Sequence, residues 1–198
     1  MIVEHAGKSP SIDPSAYVAP NAVVSGDVTI AAGARVLFGA VVTAEGGGSV
    51  TVGRNAIVME QAVIRGRGGH PVRIGDSVLI GPHAHVNGCE IGDETVVATG
   101  ASIFPGARVG ARSELRIGAV LQVNSVLPEG ATVPIGWIAV GDPAEAFPPE
   151  RHDDIWAIQR GLDFPGTVFG LPREASMSEA MERYSELFAT HADDRVIG

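Results

Sequence analysis

The chain has 198 residues, a length within the range of one domain, and a formal net charge of −9. Such an acidic protein repels phosphate backbones, so we expect no nucleic-acid partner. The sequence contains neither a basic segment followed by an apolar run nor a stretch approaching the roughly 20 apolar residues of a membrane span. We therefore expect a cytoplasmic protein without a membrane partner. The single cysteine, Cys89, excludes a disulfide framework and favours a small, inert filler.

An aliphatic residue recurs at every sixth position through most of the chain, and a small residue commonly follows four positions later. This hexapeptide period is typical of a parallel β-helix, in which each repeat supplies one short strand and a turn. Because aromatic residues make up only 5% of the chain, the core must consist of Val, Ile, Leu and Ala. The repeated positions are Ile12, Val18, Val24, Ile30, Val36, Val42, Val52, Val58, Ile64, Ile74, Ile80, Val86, Ile91, Val97, Ile103, Val109, Leu115, Leu121, Leu127 and Val133.

The period is interrupted between Val42 and Val52, between Ile64 and Ile74, and between Val86 and Ile91. Three hexapeptides make one triangular coil, so the repeat predicts about six to seven stacked coils. The three interruptions are separated by multiples of three repeats, which places them on one side of the prism. Insertions collected on one face of a repeat protein usually mark its binding face.

After Val133 the period ends, and Pro148-Pro149 begins a different kind of sequence. We predict a β-helix domain at residues 1–147 and a helical extension at 148–198 that packs on it. Residues 150–160 are predicted as a short helix. Ser176 to Thr190 is predicted as a longer one, with Ser176 or Ser178 as its cap and Glu179 in its first turn. The apolar stripe expected to pack on the prism or on a neighbouring subunit is Met177, Met181, Tyr184, Leu187 and Phe188.

Over about residues 10–147 the chain resembles the γ-class carbonic anhydrase family of left-handed β-helix proteins. The stretches that carry the resemblance are Val52-Gly53-Arg54-Asn55-Ala56, Ile74-Gly75-Asp76, Ile80-Gly81, Asn87-Gly88-Cys89-Glu90-Ile91-Gly92 and Val140-Gly141-Asp142-Pro143-Ala144. The resemblance implies an all-β, left-handed parallel β-helix with a C-terminal α-helix. It also implies a homotrimer whose sites lie between subunits and act on a small-molecule substrate.

The family's three zinc histidines are not in register in this chain. The matching positions are Arg65 after Val63-Ile64, Pro82 after Ile80-Gly81, and Asn87 before Gly88-Cys89. These residues do not supply the three imidazoles that a zinc-hydroxide carbonic anhydrase of this family uses. Glu60 lies beside the position that matches the family's active-site glutamine.

Three other histidines lie near the missing ligands: His70 in the second interruption, and His83 and His85 close to Pro82. Imidazoles are common ligands of zinc, and a catalytic zinc needs three ligands and an open position. One interpretation is a displaced site in which His70, His83 and His85 bind zinc or another divalent transition metal, for a hydratase or hydrolase acting on a small electrophile. Arg65 would then anchor an anion, and His70, Arg65 and Glu60 are the catalytic candidates. The alternative is that these are solvated corner and loop residues.

A second interpretation rests on Gly69-His70-Pro71, which resembles the loop of hexapeptide acyltransferases in which a histidine is the general base. In that case acetyl-CoA is the cofactor, and Arg108, Arg112 and Arg116 are the basic residues available for its phosphates. A third interpretation is a non-catalytic trimeric scaffold that has lost its metal ligands.

Overall fold

The computed structural model describes residues 1–198 as a three-sided prism of short, parallel strands followed by helices. One side is a 10-stranded sheet and the other two are 7-stranded sheets. Successive strands pass from side to side, so each strand pairs with the strand three elements later in the chain, as Ile64 does with Val86. The all-β prediction of stacked hexapeptide coils is confirmed. The two 7-stranded sides match the upper end of the expected six to seven coils, and the eight parallel strands of the third side extend the stack to about eight turns.

The strands and helices follow one another with few gaps from the N-terminus. The elements are β1 (Ile2–Glu4), β2 (Ser11–Ile12), β3 (Tyr17–Val18), β4 (Val23–Ser25), β5 (Val28–Ile30), β6 (Arg35–Val36), β7 (Val41–Glu45), β8 (Val50–Val52), β9 (Ile57–Val58), β10 (Val63–Arg67), β11 (Val72–Ile74), β12 (Leu79–Ile80), β13 (His85–Asn87), β14 (Glu90–Ile91), β15 (Val96–Val97), β16 (Ser102–Ile103), β17 (Arg108–Val109), β18 (Glu114–Leu115), β19 (Val120–Leu121), β20 (Val126–Leu127), β21 (Thr132–Val133), β22 (Ile138–Gly141), β23 (Ala144–Phe147), α1 (His152–Gln159), α2 (Phe164–Phe169), α3 (Met177–Ala189), a 3-10 turn (Thr190–Asp193) and β24 (Arg195–Val196).

The repeated aliphatic positions form the core, as the period predicts. All of them from Val24 to Val133 are buried, and only Ile12 and Val18 at the N-terminal end are partly exposed. The small residues that follow lie inside the tight corners; Ala22, Ala40 and Ala62 are fully buried. Each buried aliphatic side chain stacks on its equivalents in adjacent coils, so the core is a continuous column of side chains.

The interruptions lie at the corner where the chain leaves the 10-stranded sheet, after β7, β10 and β13. This confirms that they share one side of the prism. Arg67 and His70 close a tight turn through two backbone hydrogen bonds of 2.9 Å. Glycines allow these turns to stack, because a methyl group on Gly68 would overlap the carbonyl oxygen of Gly46.

The C-terminal residues pack back onto the prism. Ser176 caps α3 through a reciprocal capping box with Glu179, as predicted. The expected apolar stripe is only partly correct: Met177 and Met181 are exposed at 62% and 47%, and the buried residue of the helix is Ala180. None of the helices is long and apolar enough to cross a membrane.

The chain's last strand also returns to the prism. β24 pairs antiparallel with β1, and the Arg195 side chain donates to Glu4. The strands of the prism end at Phe147 and α1 begins at His152. A division into domains at 147/148 remains a prediction, because the end of the extension belongs to the prism's own sheet.

Candidate functional site

Two of the positions matching zinc ligands lie side by side on the outer face of the 10-stranded sheet. Arg65 on β10 pairs in register with Asn87 on β13 and with Thr43 on β7. Alternation along each strand turns these side chains away from the core, because the neighbouring Ile64 and Val86 point inward. The fold therefore places these two positions next to each other, but they carry an arginine and an asparagine in place of the family's zinc-binding histidines.

Glu45, at the end of β7, is the acidic partner of Arg65. Its Oε1 lies 3.5 Å from Arg65 Nε and accepts a hydrogen bond of 3.2 Å from the Thr43 hydroxyl. Glu45 is only 5% exposed, so its charge is held by this pair and not by water. Three buried polar atoms of the cluster have no hydrogen-bond partner: Glu45 Oε2, Arg65 Nε and Asn87 Oδ1.

A zinc ion does not fit the three positions that match the family's ligands, Arg65, Pro82 and Asn87 (the register positions). The Arg65 guanidinium is a permanent cation without a lone pair to donate, and Pro82 has no ligand atom. The Phe188 ring of α3 lies against Arg65, with 6.0 Å between the guanidinium carbon and the ring centroid. An ion pair beneath an aromatic side chain thus stands where the resemblance would place a metal.

His85 begins β13 on the same outer face, diagonally across from Arg65. Burial, and secondly the charge of Arg65, lower the pKa of His85 below its usual value. His83 instead lies at the preceding corner with φ of 57°, and its backbone N–H donates to the Glu60 carbonyl over 3.1 Å. The corner therefore interrupts the strand alternation that would bring His83 and His85 to one face.

His70 follows β10 in the stacked turn. It lines a cavity of about 270 Å³ between this turn and the helical extension, together with Arg67, Thr167, Arg183 and Tyr184. Burial, and secondly the charge of Arg67, lower the pKa of His70, so the imidazole is neutral at pH 7. A neutral, half-buried imidazole facing a cavity is suited to accepting a proton.

Two arginines give this cavity a positive charge. Arg67 donates hydrogen bonds to the Val168 carbonyl (2.8 Å) and the Tyr184 hydroxyl (2.9 Å), both neutral groups. Arg183 is on α3 and faces the same cavity. Neither guanidinium is within ion-pair distance of a carboxylate, so the cavity favours an anion. Neither Arg65 nor Glu60 lines it.

A second cavity lies on the other side of His70 and includes Arg73 and Arg108. Here both arginines are paired with carboxylates. Arg73 lies 2.6 Å from Glu90, and Arg108 lies 3.6 Å from Asp142. The other basic residues considered for CoA are also paired, Arg112 with Glu129 and Arg116 with Glu114. These pairs reduce the positive charge available to a CoA phosphate.

The candidate metal ligands His70, His83 and His85 do not form a three-ligand cluster within one chain. His70 is in the turn after β10, His83 at a corner and His85 on a strand. A metal site built from them would require ligands from neighbouring subunits, and it remains a prediction.

Sequence reasoning did not identify Glu45 and Arg183 as site residues, and it predicted Tyr184 only as part of the apolar stripe of the helix. Glu45 carried a signal, because it lies in the first interruption of the repeat. Arg183 and Tyr184 are on α3, more than a hundred positions from His70, and no spacing in the sequence connects them with the turn.

Cys89 is buried, and burial strongly raises the pKa of its thiol. It is therefore an inert filler, as predicted, and not a nucleophile.

Comparison with known proteins supports a hexapeptide-repeat protein similar to γ carbonic anhydrases. The family described as bacterial transferase hexapeptide (six repeats) matches residues 71–105. Gamma carbonic anhydrase 1, mitochondrial, of Arabidopsis thaliana is 34% identical over 128 residues, which are 62% of this chain and 46% of that protein. Gamma carbonic anhydrase 2, mitochondrial, of the same plant is 29% identical over the same length. The match spans less than half of each relative.

Solved structures similar to this chain include a hexapeptide transferase family protein from Anaplasma phagocytophilum. It has 22% identity, a TM-score of 0.39 and coverage of 97% of this chain and 95% of that one. Another is a variant of perosamine N-acetyltransferase from Caulobacter crescentus in complex with CoA and GDP-perosamine. It has 26% identity, a TM-score of 0.47 and coverage of 66% and 56%.

Proposed function

We propose that this hexapeptide-repeat protein, which resembles the γ carbonic anhydrases, is an enzyme acting on a small anionic molecule in the cavity beside His70. The observation that carries this proposal is the placement of His70 in a cavity with two arginines that have no carboxylate partner. His70 is the general base, and Arg183, with Arg67, attracts the anion. This chemistry needs no zinc at the positions of the family's ligands, of which one is held by Arg65 in its ion pair with Glu45.

The chemistry follows from the lowered pKa of His70. The neutral imidazole accepts a proton from a water molecule or a hydroxyl group as its oxygen attacks an electrophilic carbon of the bound anion. The imidazolium then returns the proton to the leaving group. Positive charge from the arginines stabilises the oxyanion that develops at the attacked carbon. Hydrolysis and acyl transfer share this step and differ only in the nucleophile.

The test is a rate comparison between the wild type and His70→Gln, with His152→Gln on exposed α1 as the control. Suitable probes are the succinate monoester of 4-nitrophenol for hydrolysis, and acetyl-CoA together with a small hydroxy acid as acceptor for acyl transfer. We expect a fall of about 10²-fold or more in His70→Gln and none in the control. The wild-type rate should rise with pH through a midpoint lower than that of a free histidine, because burial and Arg67 lower the pKa of His70. A rate in His70→Gln equal to that of the wild type would reject His70 as the base, and no rate above background in the wild type would favour the non-catalytic scaffold.

The sequence match to γ carbonic anhydrases favours a second candidate, a metal-dependent hydratase whose metal is held by His70, His83 and His85 across subunits. Its test is carbon dioxide hydration by protein supplied with zinc, iron or cobalt. Activity that is lost in both His83→Ala and His85→Ala supports this candidate. Activity absent from every metal-loaded sample removes it.

We also propose a homotrimer, which the second candidate requires because its metal ligands come from different subunits. Exposed apolar side chains on one 7-stranded side and its corner support an interface, among them Tyr17, Ile57 and Ile117 at 40%, 38% and 55% exposure. Light scattering should give three times the 20.4 kDa chain mass. Ile57→Arg should reduce this mass, whereas a wild-type protein at the mass of one chain would reject the trimer and, with it, the second candidate.

A further inference from the structure

The two ends of the chain meet in a cluster of two histidines and one aspartate. His5 follows β1, His191 is in the 3-10 turn after α3, and Asp194 precedes β24. His5 Nδ1 lies 2.6 Å from Asp194 Oδ1, and His191 Nδ1 lies 2.8 Å from Asp194 Oδ2. The two imidazole centroids are 4.4 Å apart. This is the only group of three potential metal ligands in the chain, with all ligand atoms within 4.8 Å of one another.

The chemistry of this set matches a transition-metal site. Two imidazole nitrogens and one carboxylate oxygen are ligands that zinc uses, and they leave one position of a tetrahedron open. The ligand atoms of a tetrahedral zinc are about 3.4 Å apart, given bonds of about 2.0–2.1 Å. His5 Nδ1 and His191 Nδ1 lie 2.6 and 2.8 Å from Oδ1 and Oδ2 respectively, so each must move from the oxygen it contacts by about 0.6–0.8 Å.

The surroundings allow such a movement. His5 is 3% exposed and held by the prism, whereas the His191 and Asp194 side chains are 36% and 24% exposed on the C-terminal turn. A cavity of about 250 Å³ borders His5 on the side away from the cluster, since neither His191 nor Asp194 lines it. The imidazoles can carry their protons on Nε2, which frees both Nδ1 lone pairs for a metal.

We infer that His5, His191 and Asp194 form a binding site for a divalent transition metal, zinc above all, that joins the two ends of the chain. A metal here links the first strand of the prism to the turn after α3, and so fastens the helix that covers Arg65 and borders the His70 cavity. The site is separate from the His70, His83 and His85 candidates, with which it shares no residue. It does not depend on the proposed function.

The experiment is a titration of the full chain, freed of metal and purified without a histidine tag, with zinc followed by calorimetry. A parallel titration with cobalt is followed by visible absorption, which is intense only for a tetrahedral ion. We expect one metal per chain with a tetrahedral cobalt spectrum. His191→Ala should weaken binding by at least about tenfold, and Asp194→Asn should also weaken it.

Two controls separate this site from other histidines. His152→Ala removes an exposed histidine that has only Asp153 nearby, at 3.6 Å, and should bind as the wild type does. The double variant His83→Ala, His85→Ala should also retain the site. Zinc should slow hydrogen exchange in β24 of the wild type and not of His191→Ala. Absence of binding in the wild type, or unchanged binding in His191→Ala, overturns the inference. His191 is partly exposed and lies outside the hydrophobic core of the prism, so its removal leaves that core intact.

Discussion

The ion pair of Glu45 and Arg65 allows a direct test of how much a buried charge pair contributes to the stability of this protein. In Arg65→Met the cation is removed and a chain of similar length remains, so Glu45 is left buried without its partner. Two charges 3.5 Å apart attract by about 5 kcal/mol at an effective dielectric constant of about 20, before desolvation is subtracted. Removing one partner from a fully buried pair costs about 3–5 kcal/mol. Because the Arg65 side chain is 37% exposed, we expect about 2–3 kcal/mol.

The assay is urea unfolding at one protein concentration, in a double-mutant cycle of Arg65→Met and Glu45→Gln. The double variant should recover most of the loss, because no uncompensated charge remains in it. Arg73→Met is the matched control, since Arg73 forms a pair with Glu90 in which both side chains are more than half exposed. That variant should lose at most about 1 kcal/mol. Equal losses in Arg65→Met and Arg73→Met, or additive effects in the cycle, would refute this reasoning.

Three further predictions concern the turn, the thiol and the helix. A methyl group at Gly88 would lie 2.7 Å from His70 Cβ, so Gly88→Ala should shift the NMR signals of His70 and destabilise the protein more than Gly100→Ala, which has a similar positive φ and open space. Cys89 should resist a thiol reagent in the native protein and react only on unfolding, because burial raises the pKa of its thiol; rapid labelling of the folded protein would contradict this. Ser176→Ala should weaken α3 by about 1 kcal/mol, measured by hydrogen exchange, and unchanged exchange would show that the capping box does not stabilise the helix.

The prism was predictable because each coil places an inward-pointing aliphatic residue at the same positions. Ile64 needs a neighbour above and below, and the period supplies Val42 and Val86 at those places. The side of the prism that carries the interruptions was predictable for the same reason, since it depends only on counting repeats. The buried face of α3 was predicted less well. A surface helix packs through a narrow stripe, and the buried residue of this helix is the small Ala180, which a search for large apolar residues does not find.

The site was less accessible to sequence reasoning. His70 was identified from its glycine-rich turn, but its surroundings come from α2 and α3, whose position follows from packing and from the hydrogen bonds of Arg67. The partner of Arg65 is Glu45, from the coil before, and register alone does not reveal which side chain is buried. The meeting of His5 with His191 and Asp194 depends on β24 pairing with β1, a contact between the two ends of the sequence.

The measurement that tests the central claim most directly is the rate of ester hydrolysis by wild type and His70→Gln, with and without a strong metal chelator. The account predicts a wild-type rate that the chelator leaves unchanged and that falls by about 10²-fold or more in His70→Gln. A wild-type rate that disappears with the chelator, or a His70→Gln rate equal to that of the wild type, would contradict it.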